Sequence, residues 1–336
     1  MRLSHLLRTF NMKKHLTNIL SWAFAGLILA YLFSKIPLDQ VQGIFASLPL
    51  GRFVFFAVFY FVVMLFFDVA GLHWLLNRFC TPIKLAEILK LRGYSYLVMI
   101  LNYAAGQGSL ALYLKKKKQV PLFRALGAVM FFNFIDLFNL FTITFVALLL
   151  DNATKEDPIK TLLAPWITVL LVLTFLWIVF WRVLSAERFS HWQHKRPFCW
   201  FLKNDMAHFF REVTLSDYLK AWLGRLPTCF WAILGLYFSI ISVNLLMPLA
   251  KVFLYGPLIG LVGSLPITPA GLGTTQILSV KLLAPWVSGP LVDRFDAAHV
   301  IVAITLLWGV ANLVLKALMG LIALAFGSYR LTGNAD

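Results

Sequence analysis

The chain has too few charged residues for a soluble protein of its length. Only 13% of its 336 residues are Asp, Glu, Lys or Arg, whereas a soluble domain carries about 25%. Hydrophobic residues make up 60% of the chain, and its mean hydropathy is +0.82. These values predict an integral membrane protein.

Acidic residues and cysteines are also scarce. The 14 acidic residues face 30 Lys and Arg, which gives a net charge of +16. The basic residues lie between apolar runs, and the sequence has no motif of a nucleic-acid-binding fold, so the excess favours the inner face of a membrane. Cys80, Cys199 and Cys229 lack the spacing of a metal or redox site. We therefore expect no nucleic-acid partner, no metal and no cofactor.

Eight long apolar runs predict the membrane segments, and two of them are interrupted by glycine. Since a crossing needs about 20 residues, six runs fit single helices. The first of these, from Ile19 to Phe33, follows basic residues and shows no cleavage site, so we expect an uncleaved helix. The eight runs lie at about 18–34, 51–76, 93–114, 122–150, 161–184, 221–247, 252–286 and 297–326.

The runs 93–114 and 252–286 each contain a glycine motif. These motifs are Ala105-Gly106-Gln107-Gly108-Ser109 and Ala270-Gly271-Leu272-Gly273-Thr274. Backbone groups freed inside a bilayer must be buried in protein or line a cavity. Interrupted segments at corresponding places in two halves of a chain indicate the binding site of a transporter.

The positions of the basic residues predict how these runs are arranged. If 93–114 crossed once, Lys115–Lys118 and the basic loop 185–220 would lie outside, against the positive-inside rule. If it enters and returns, every basic loop is cytoplasmic. We therefore predict an all-α polytopic protein of the plasma (bacterial inner) membrane with both termini cytoplasmic. It would have about six crossings and two opposed re-entrant hairpins; eight plain crossings are the alternative.

This arrangement predicts an inverted-topology repeat. The first repeat, 18–150, consists of two crossings, a re-entrant hairpin and a crossing. The second repeat, 161–326, has the same order in the opposite orientation. Such repeats place a binding site at the bilayer midplane. The segment 185–220 mixes aromatic and basic residues, which is typical of an amphipathic insertion at the cytoplasmic membrane interface.

The glycine motifs contain the candidate substrate-binding residues. We expect Ser109, Thr274 and Thr275 to cap helices that begin near the midplane, where helix N-termini attract anions. Alternatively, the glycines only allow close helix packing. The amides could contact sugar or phosphate oxygens, or they could bridge the hairpins. The full candidate set is Asn102, Gly106, Gln107, Gly108, Ser109, Pro269, Gly271, Gly273, Thr274, Thr275 and Gln276.

Ionisable residues inside apolar runs form a second candidate set, because such residues are costly in a membrane and mark function. Asp136 shares a helix face with Asn133 and Asn139. It could couple protons, pair with Lys316 or act as a protonated hydrogen-bonding group. Lys316, with Asn312 one turn before it, could instead snorkel to the cytoplasmic side. Asp68 is also a candidate, although its position near a cytoplasmic end could leave it in water.

The run Lys115, Lys116, Lys117 and Lys118 predicts contact with anionic lipid headgroups. It would either anchor the topology or gather an anionic lipid substrate. Membrane lipids are thus the expected partners.

Three stretches resemble the lysylphosphatidylglycerol synthase transmembrane-region family. They are 73–76 (His-Trp-Leu-Leu), 102–108 (Asn-Tyr-Ala-Ala-Gly-Gln-Gly) and 133–137 (Asn-Phe-Ile-Asp-Leu), and the family's second signature is similar to 265–276. The resemblance implies a flippase-like membrane part that moves an aminoacylated or other lipid. Because the chain ends just after its last crossing, the resemblance implies transport without synthesis.

The chain departs from the family at several charged positions. Ser109 and Leu112 stand where the family usually has an acidic residue and an Arg. Gln276 replaces the usual Glu of the second signature, and Asn133-Phe134 replaces an acidic–basic pair. Asp136 and the glycines are kept.

The predicted function is movement of a lipid or lipid-linked precursor between leaflets, without enzymatic activity. One alternative is a membrane-embedded transferase acting on a glycerolipid or polyprenyl substrate, which would usually need a metal-binding acidic cluster. The other is a non-catalytic partner of a lipid-biosynthesis enzyme.

Overall fold

A computed structural model describes residues 38–150, 158–185, 205–264 and 273–326. The predicted first crossing at 18–34, the residues Pro269 and Gly271, and most of the segment 185–220 lie outside the described residues. In the described ranges the chain is helical, and its β-structure is limited to one isolated bridge between Leu246 and Ser288.

Eleven α-helices and one 3₁₀ turn (Ala284–Trp286) make up the described part of the chain. The α-helices are α1 (Leu38–Ala46), α2 (Leu50–Phe79), α3 (Leu85–Leu101), α4 (Tyr103–Lys118), α5 (Leu122–Leu150), α6 (Pro158–Ser185), α7 (Asp205–Glu212), α8 (Leu215–Ile241), α9 (Leu249–Ser264), α10 (Thr274–Leu283) and α11 (Ala297–Phe326).

Helices α2, α5, α8 and α11 are long and apolar enough to cross a membrane. Each has 27 to 30 residues, against the roughly 20 that a crossing needs. Large apolar side chains such as Phe55 and Phe66, each 65% exposed, lie on their outer surface. Lipid tails can cover such side chains, so the predicted membrane class is confirmed.

Helices α3 and α4 form an antiparallel hairpin that turns at Asn102. The backbone there is extended (φ −159°, ψ 122°), and Asn102 Oδ1 caps α4 by accepting the Ala105 N–H at 2.9 Å. At the open end, Lys118 Nζ lies 2.9 Å from Glu87 Oε2, and the Tyr113 hydroxyl donates to Glu87 Oε1 at 2.6 Å. The chain therefore leaves the hairpin at the end where it enters.

The predicted cap at Ser109 is wrong. The N-cap of α4 is Asn102. Ser109 therefore lies in the second turn of α4, where it donates its hydroxyl to the Gly106 carbonyl at 2.6 Å. Helix α10 does begin at Thr274, but its N-cap is Gly273, at a left-handed φ of 89°. Gln276 Oε1 accepts the Gly273 N–H at 2.6 Å. The threonines therefore do not cap α10.

The two halves of the described chain repeat the same helix pairings. In 50–150, α2 packs on α3, α3 on α4, and α4 on α5; in 215–326, α8 packs on α9, α9 on α10, and α10 on α11. Between the halves, α2 packs on α8, α3 on α11, and α5 on α9. Each contact therefore has a counterpart when α2–α5 are exchanged with α8–α11.

The crossing of α3 and α11 depends on two glycines. A Cβ at Gly320 would lie 2.3 Å from Leu97 Cγ, and one at Gly93 would lie 2.6 Å from Ala323 Cβ. Any larger residue would push the helices apart, so small residues set their close approach.

Candidate functional site

Four charged side chains meet between the helices. They are Asp68 on α2, Arg92 on α3, Asp136 on α5 and Arg225 on α8. Asp68 is 2% exposed, Arg92 5% and Arg225 4%. Because charged groups are rarely buried without partners, this cluster is the candidate functional site.

The four residues form one chain of ion pairs. Arg92 donates to Asp68 through Nε and Nη2, with 3.0 Å between Nη2 and Oδ1, and the Tyr96 hydroxyl donates to Asp68 Oδ2 at 3.1 Å. Arg225 holds Asp136 through Nε–Oδ1 at 2.7 Å and Nη2–Oδ2 at 2.6 Å. Arg225 Nη1 lies 3.5 Å from Asp68 Oδ1 and joins the two pairs. Such bidentate contacts fix both position and orientation.

The cluster lies deep within the bundle. At 1.5 Å per residue, Asp68 is about 16 Å from the end of α2, and Arg225 is about 15 Å from the start of α8. The hydrocarbon core of a bilayer is about 30 Å thick. The ion pairs therefore lie near the middle of the apolar segments.

Aromatic and small residues shape the space around Arg225. Its guanidinium carbon lies 3.8 Å from the centroid of the Phe132 ring, a cation–π contact. A Cβ at Gly71 would lie 2.9 Å from both Cδ and Nη1 of Arg225, so the glycine leaves room for the side chain. Cys229 Sγ approaches Asp136 Oδ1 at 3.8 Å.

A third basic side chain lies beside the cluster. Lys316 Nζ lies 5.9 Å from the centroid of the Tyr96 ring and interacts electrostatically with Arg92 and Asp68. Among the described residues, the buried Nη1 atoms of Arg92 and Arg225 have no hydrogen-bond partner. The site therefore has guanidinium donors left for an anion.

Amides of the first glycine motif and of α5 lie beside this cluster. Gln107, 6% exposed, donates through Nε2 to the Tyr103 hydroxyl at 2.9 Å and to Asn133 Oδ1 at 3.2 Å. Asn133 is one turn before Asp136 on α5. The predicted residues Gln107, Asn133 and Asp136 are thus in one region of the structure.

The other predicted residues make local contacts. A Cβ at Gly106 would lie 2.0 Å from Met99 Cγ, whereas one at Gly108 meets nothing within 4 Å. Asn312 Nδ2 donates to the Trp308 carbonyl of its own helix at 2.9 Å. The described hydrogen bonds link Gln276 to Gly273 and Thr275, and they do not join it to Gln107.

Both arginines of the cluster were missed by the sequence reasoning. Arg225 interrupts the apolar run 221–247, and that interruption was the available signal. The suggested pairing of Asp136 with Lys316 is wrong, because Asp136 binds Arg225. Asp68 is not in water but buried between two arginines.

A cavity of about 270 Å³ extends from the outside of the bundle to Arg225. Lys220, which is exposed, and Arg225, one to two turns deeper on α8, provide its cations. The remaining wall is apolar and includes Gly71, Trp74, Phe131, Phe132 and Gly224. Pockets of this kind, apolar with a few placed polar groups, are typical of ligand sites.

The ion pairs around Glu87 and Asp217 lie at the same end of the bundle as the mouth of this cavity. Arg78 Nε donates to Asp217 Oδ1 at 3.0 Å. Partial burial would raise the pKa of Glu87, but hydrogen bonds from Tyr113 and Lys118 outweigh it and hold that pKa below its usual value. Glu87 therefore stays ionised at neutral pH, and its bridge to Lys118 is lost only as the pH falls through the acid range.

Long apolar helices around a buried cluster of charges define a polytopic α-helical membrane protein. The chain belongs to the lysylphosphatidylglycerol synthase TM region family, whose model matches residues 18–320. The family resemblance of the sequence motifs is thereby confirmed. Comparison with curated proteins gave no match, and comparison with solved structures gave none either.

Proposed function

We propose that this protein moves a lipid or lipid-linked precursor with an anionic headgroup between the leaflets of the membrane. The observation that carries the proposal is the pair of buried arginines in the cluster: Nη1 of Arg92 has no hydrogen-bond partner among the described residues, and Nη1 of Arg225 makes only the 3.5 Å contact with Asp68. Membrane lipids are the anions available at this depth. A phosphate accepts bidentate hydrogen bonds from Arg in the same way as the carboxylates of Asp68 and Asp136.

The cavity beside Arg225 is the proposed entry. A headgroup would meet Lys220 first and then Arg225, while its acyl or isoprenoid chains stay in the bilayer. Binding of a phosphate to Nη1 of Arg225 competes with the 3.5 Å contact between Arg225 and Asp68. That contact is the longest in the chain of ion pairs, so it is the one that a ligand would displace first.

The proposed topology is an inverted repeat with two re-entrant hairpins. The repeats are 18–150 and 161–326, and the hairpins are α3–α4 and α9–α10. The repeated helix pairings support the repeat, and the contact of Glu87 with Lys118 supports a return to the side of entry. Lys115–Lys118 at that end favour the cytoplasmic face, where they would contact anionic headgroups. Both termini would then be cytoplasmic in a bacterial inner membrane.

Filling the entry cavity is expected to slow translocation. A Cβ at Gly224 meets nothing within 4 Å, so Gly224→Leu extends into the cavity without disturbing the helices. We expect it to lower the initial rate about tenfold, the effect of adding ~1.4 kcal/mol to a barrier. The measurement is dithionite quenching of fluorescent phosphatidylglycerol in sealed proteoliposomes.

Gly51→Leu is the matched control, since that glycine also has open space around its Cβ but lies at the exposed start of α2. Equal rates for Gly224→Leu and wild type would contradict the entry path. No translocation by wild type would contradict the function itself. Conversion of the lipid in detergent would favour the transferase, and inactivity in both assays would favour the non-catalytic partner.

Labelling of single cysteines tests the proposed topology. Cysteines replace Lys117, Asn152 or Ser288 in a cysteine-free background, and intact cells are treated with an impermeant maleimide. We expect protection at Lys117→Cys and labelling at Asn152→Cys and Ser288→Cys, because only the latter two would face outward. Labelling at Lys117→Cys with protection at Asn152→Cys would mean that 93–114 crosses once. The re-entrant hairpin would then be wrong.

A further inference from the structure

A second cavity, of about 190 Å³, lies between α8, α9, α10 and α11. Its polar lining consists of uncharged groups, and one indole lies beside them. These side chains are Ser239, Thr275, Gln276, Ser279, Thr305 and Trp308. Among the described residues that line it, none is Asp, Glu, Lys or Arg. It therefore differs in chemistry from the cationic cavity beside Arg225.

The two cavities lie toward opposite ends of the bundle. Helix α8 runs antiparallel to α2: Arg78 binds Asp217 at one end, and Arg52 donates to Asn244 at the other. The cationic cavity contains Lys220, near the start of α8, whereas the second cavity contains Ser239, near its end. Thr305 is about 12 Å along α11 from its start at that second end. The second cavity is thus placed to serve the opposite leaflet.

The second cavity contains a buried hydroxyl that has no partner. Ser279 is 0% exposed, and among the described residues its Oγ makes no hydrogen bond. Leaving a buried hydroxyl unpaired costs about 1–3 kcal/mol. A ligand that forms a hydrogen bond with this hydroxyl would remove that cost. Ser239 and Thr305 donate their hydroxyls to carbonyls of their own helices, each at 2.7 Å. Their oxygens are left as acceptors toward the cavity.

The chemistry of this lining fits a hydroxylated, uncharged group. A ligand hydroxyl both donates and accepts, so it can pair with the Ser279 Oγ on one side and with the oxygen of Ser239 or Thr305 on the other. The Trp308 indole is held between Phe53 and Tyr60, with ring centroids 5.7 and 5.4 Å away. It offers a fixed apolar surface for the carbon skeleton of a polyol.

We propose that this cavity binds the neutral polyhydroxyl part of a lipid headgroup, either a glycerol or a sugar. The assignment of that lipid as the transported substrate rests on the proposed function, but binding itself does not require transport. A headgroup with both a phosphate and vicinal hydroxyls would then meet the cationic cavity toward one end of the bundle and this cavity toward the other.

Binding of defined lipids to the purified protein tests this proposal. The protein is kept in a polyoxyethylene detergent, because a glycoside detergent would itself present a sugar. Native mass spectrometry then compares phosphatidylglycerol, monoglucosyl diacylglycerol and phosphatidic acid with identical acyl chains. We expect Ser279→Ala to weaken binding of one or both hydroxylated lipids roughly threefold to tenfold, as expected for one lost neutral hydrogen bond. Phosphatidic acid binding should not change.

Loss for phosphatidylglycerol alone assigns a glycerol, loss for the glucolipid alone assigns a sugar, and loss for both assigns the shared hydroxyl chemistry. Thr228→Val is the matched control, because Thr228 Oγ1 is also buried and has no partner among the described residues, yet it does not line the cavity. If Ser279→Ala leaves all three affinities unchanged, the cavity holds only water or nothing, and the proposal is overturned.

A second variant tests the cavity without relying on the single hydrogen bond of Ser279. A Cβ at Gly260 meets nothing within 4 Å, so Gly260→Leu fills the cavity without a backbone clash. It should reduce binding of the same hydroxylated lipids, and unchanged binding by this variant also overturns the proposal. If wild type binds them selectively but does not translocate any lipid in vesicles, the proposed function fails while this site stands.

Discussion

Replacing Arg225 with Gln is expected to lower the free energy of unfolding by about 3–5 kcal/mol, the usual cost of removing one partner from a buried ion pair. Asp136 would lose both of its hydrogen bonds from Arg225, and Asp68 would keep only Arg92 and Tyr96. Since the proposed site would also lose its central cation, lipid translocation should fall to the background of empty vesicles. Thermal unfolding in detergent and the dithionite assay measure the two effects.

A double-mutant cycle separates the ion pair from the site. Asp136→Asn in the Arg225→Gln background removes the unpaired carboxylate, so the double variant should recover part of the lost stability. It should not recover translocation, because the cation is still missing. Arg124→Gln is the control for an ordinary arginine, since its partner Glu212 is exposed and such pairs contribute only about 0–1 kcal/mol. A wild-type melting temperature for Arg225→Gln would contradict the pairing.

The second large effect is expected at Gly106, where α4 crosses α3. A side chain there would place its Cβ 2.0 Å from Met99 Cγ and 2.9 Å from Met99 Cα. The backbone contact cannot be relieved by a rotamer change, so Gly106→Leu must push the helices apart. We expect a loss of about 3 kcal/mol in unfolding free energy, at the upper end for overpacked cores.

Gly108 provides the matched control, two residues further along the same helix. Its Cβ would meet nothing within 4 Å, so Gly108→Leu should change the melting temperature little, apart from a small gain in helix propensity. Equal destabilisation by the two variants would mean that glycine at 106 is not needed for the crossing of α3 and α4. The glycines would then have to be explained by something other than helix packing.

Several local features could be read directly from the sequence. The apolar runs at 51–76, 122–150 and 297–326 match α2, α5 and α11, because a membrane span is specified by its own composition and length. The interruption of 93–114 was also recognised. Its position was misjudged, since the glycines drew attention to 105–109 while the chain turns at Asn102. Asn102 has an extended backbone, and its side chain caps α4. Helix α3 therefore ends before the first glycine of the motif.

The ion pairs could not be predicted from the sequence in the same way. Asp136 was recognised as a costly charge, but its partner lies 89 residues further along the chain. Whether Asp136 pairs with Lys316 or with Arg225 depends on the rotation of α5, α8 and α11 about their axes and on their relative positions along the bundle axis. Arg92 was hidden for a related reason: it follows the basic residues Lys84 and Lys90 in the sequence, and only the packing of α3 on α2 buries it.

The sequence alone determined the membrane class, the family and the approximate limits of the apolar helices, because composition, motif and period are properties of contiguous residues. The tertiary structure alone decided which charges meet, that Gln107 joins Asn133 and that Ser279 has no hydrogen-bond partner. Those properties depend on distances between helices that are far apart in the chain. The charge cluster and the hydroxyl-lined cavity are therefore products of helix packing.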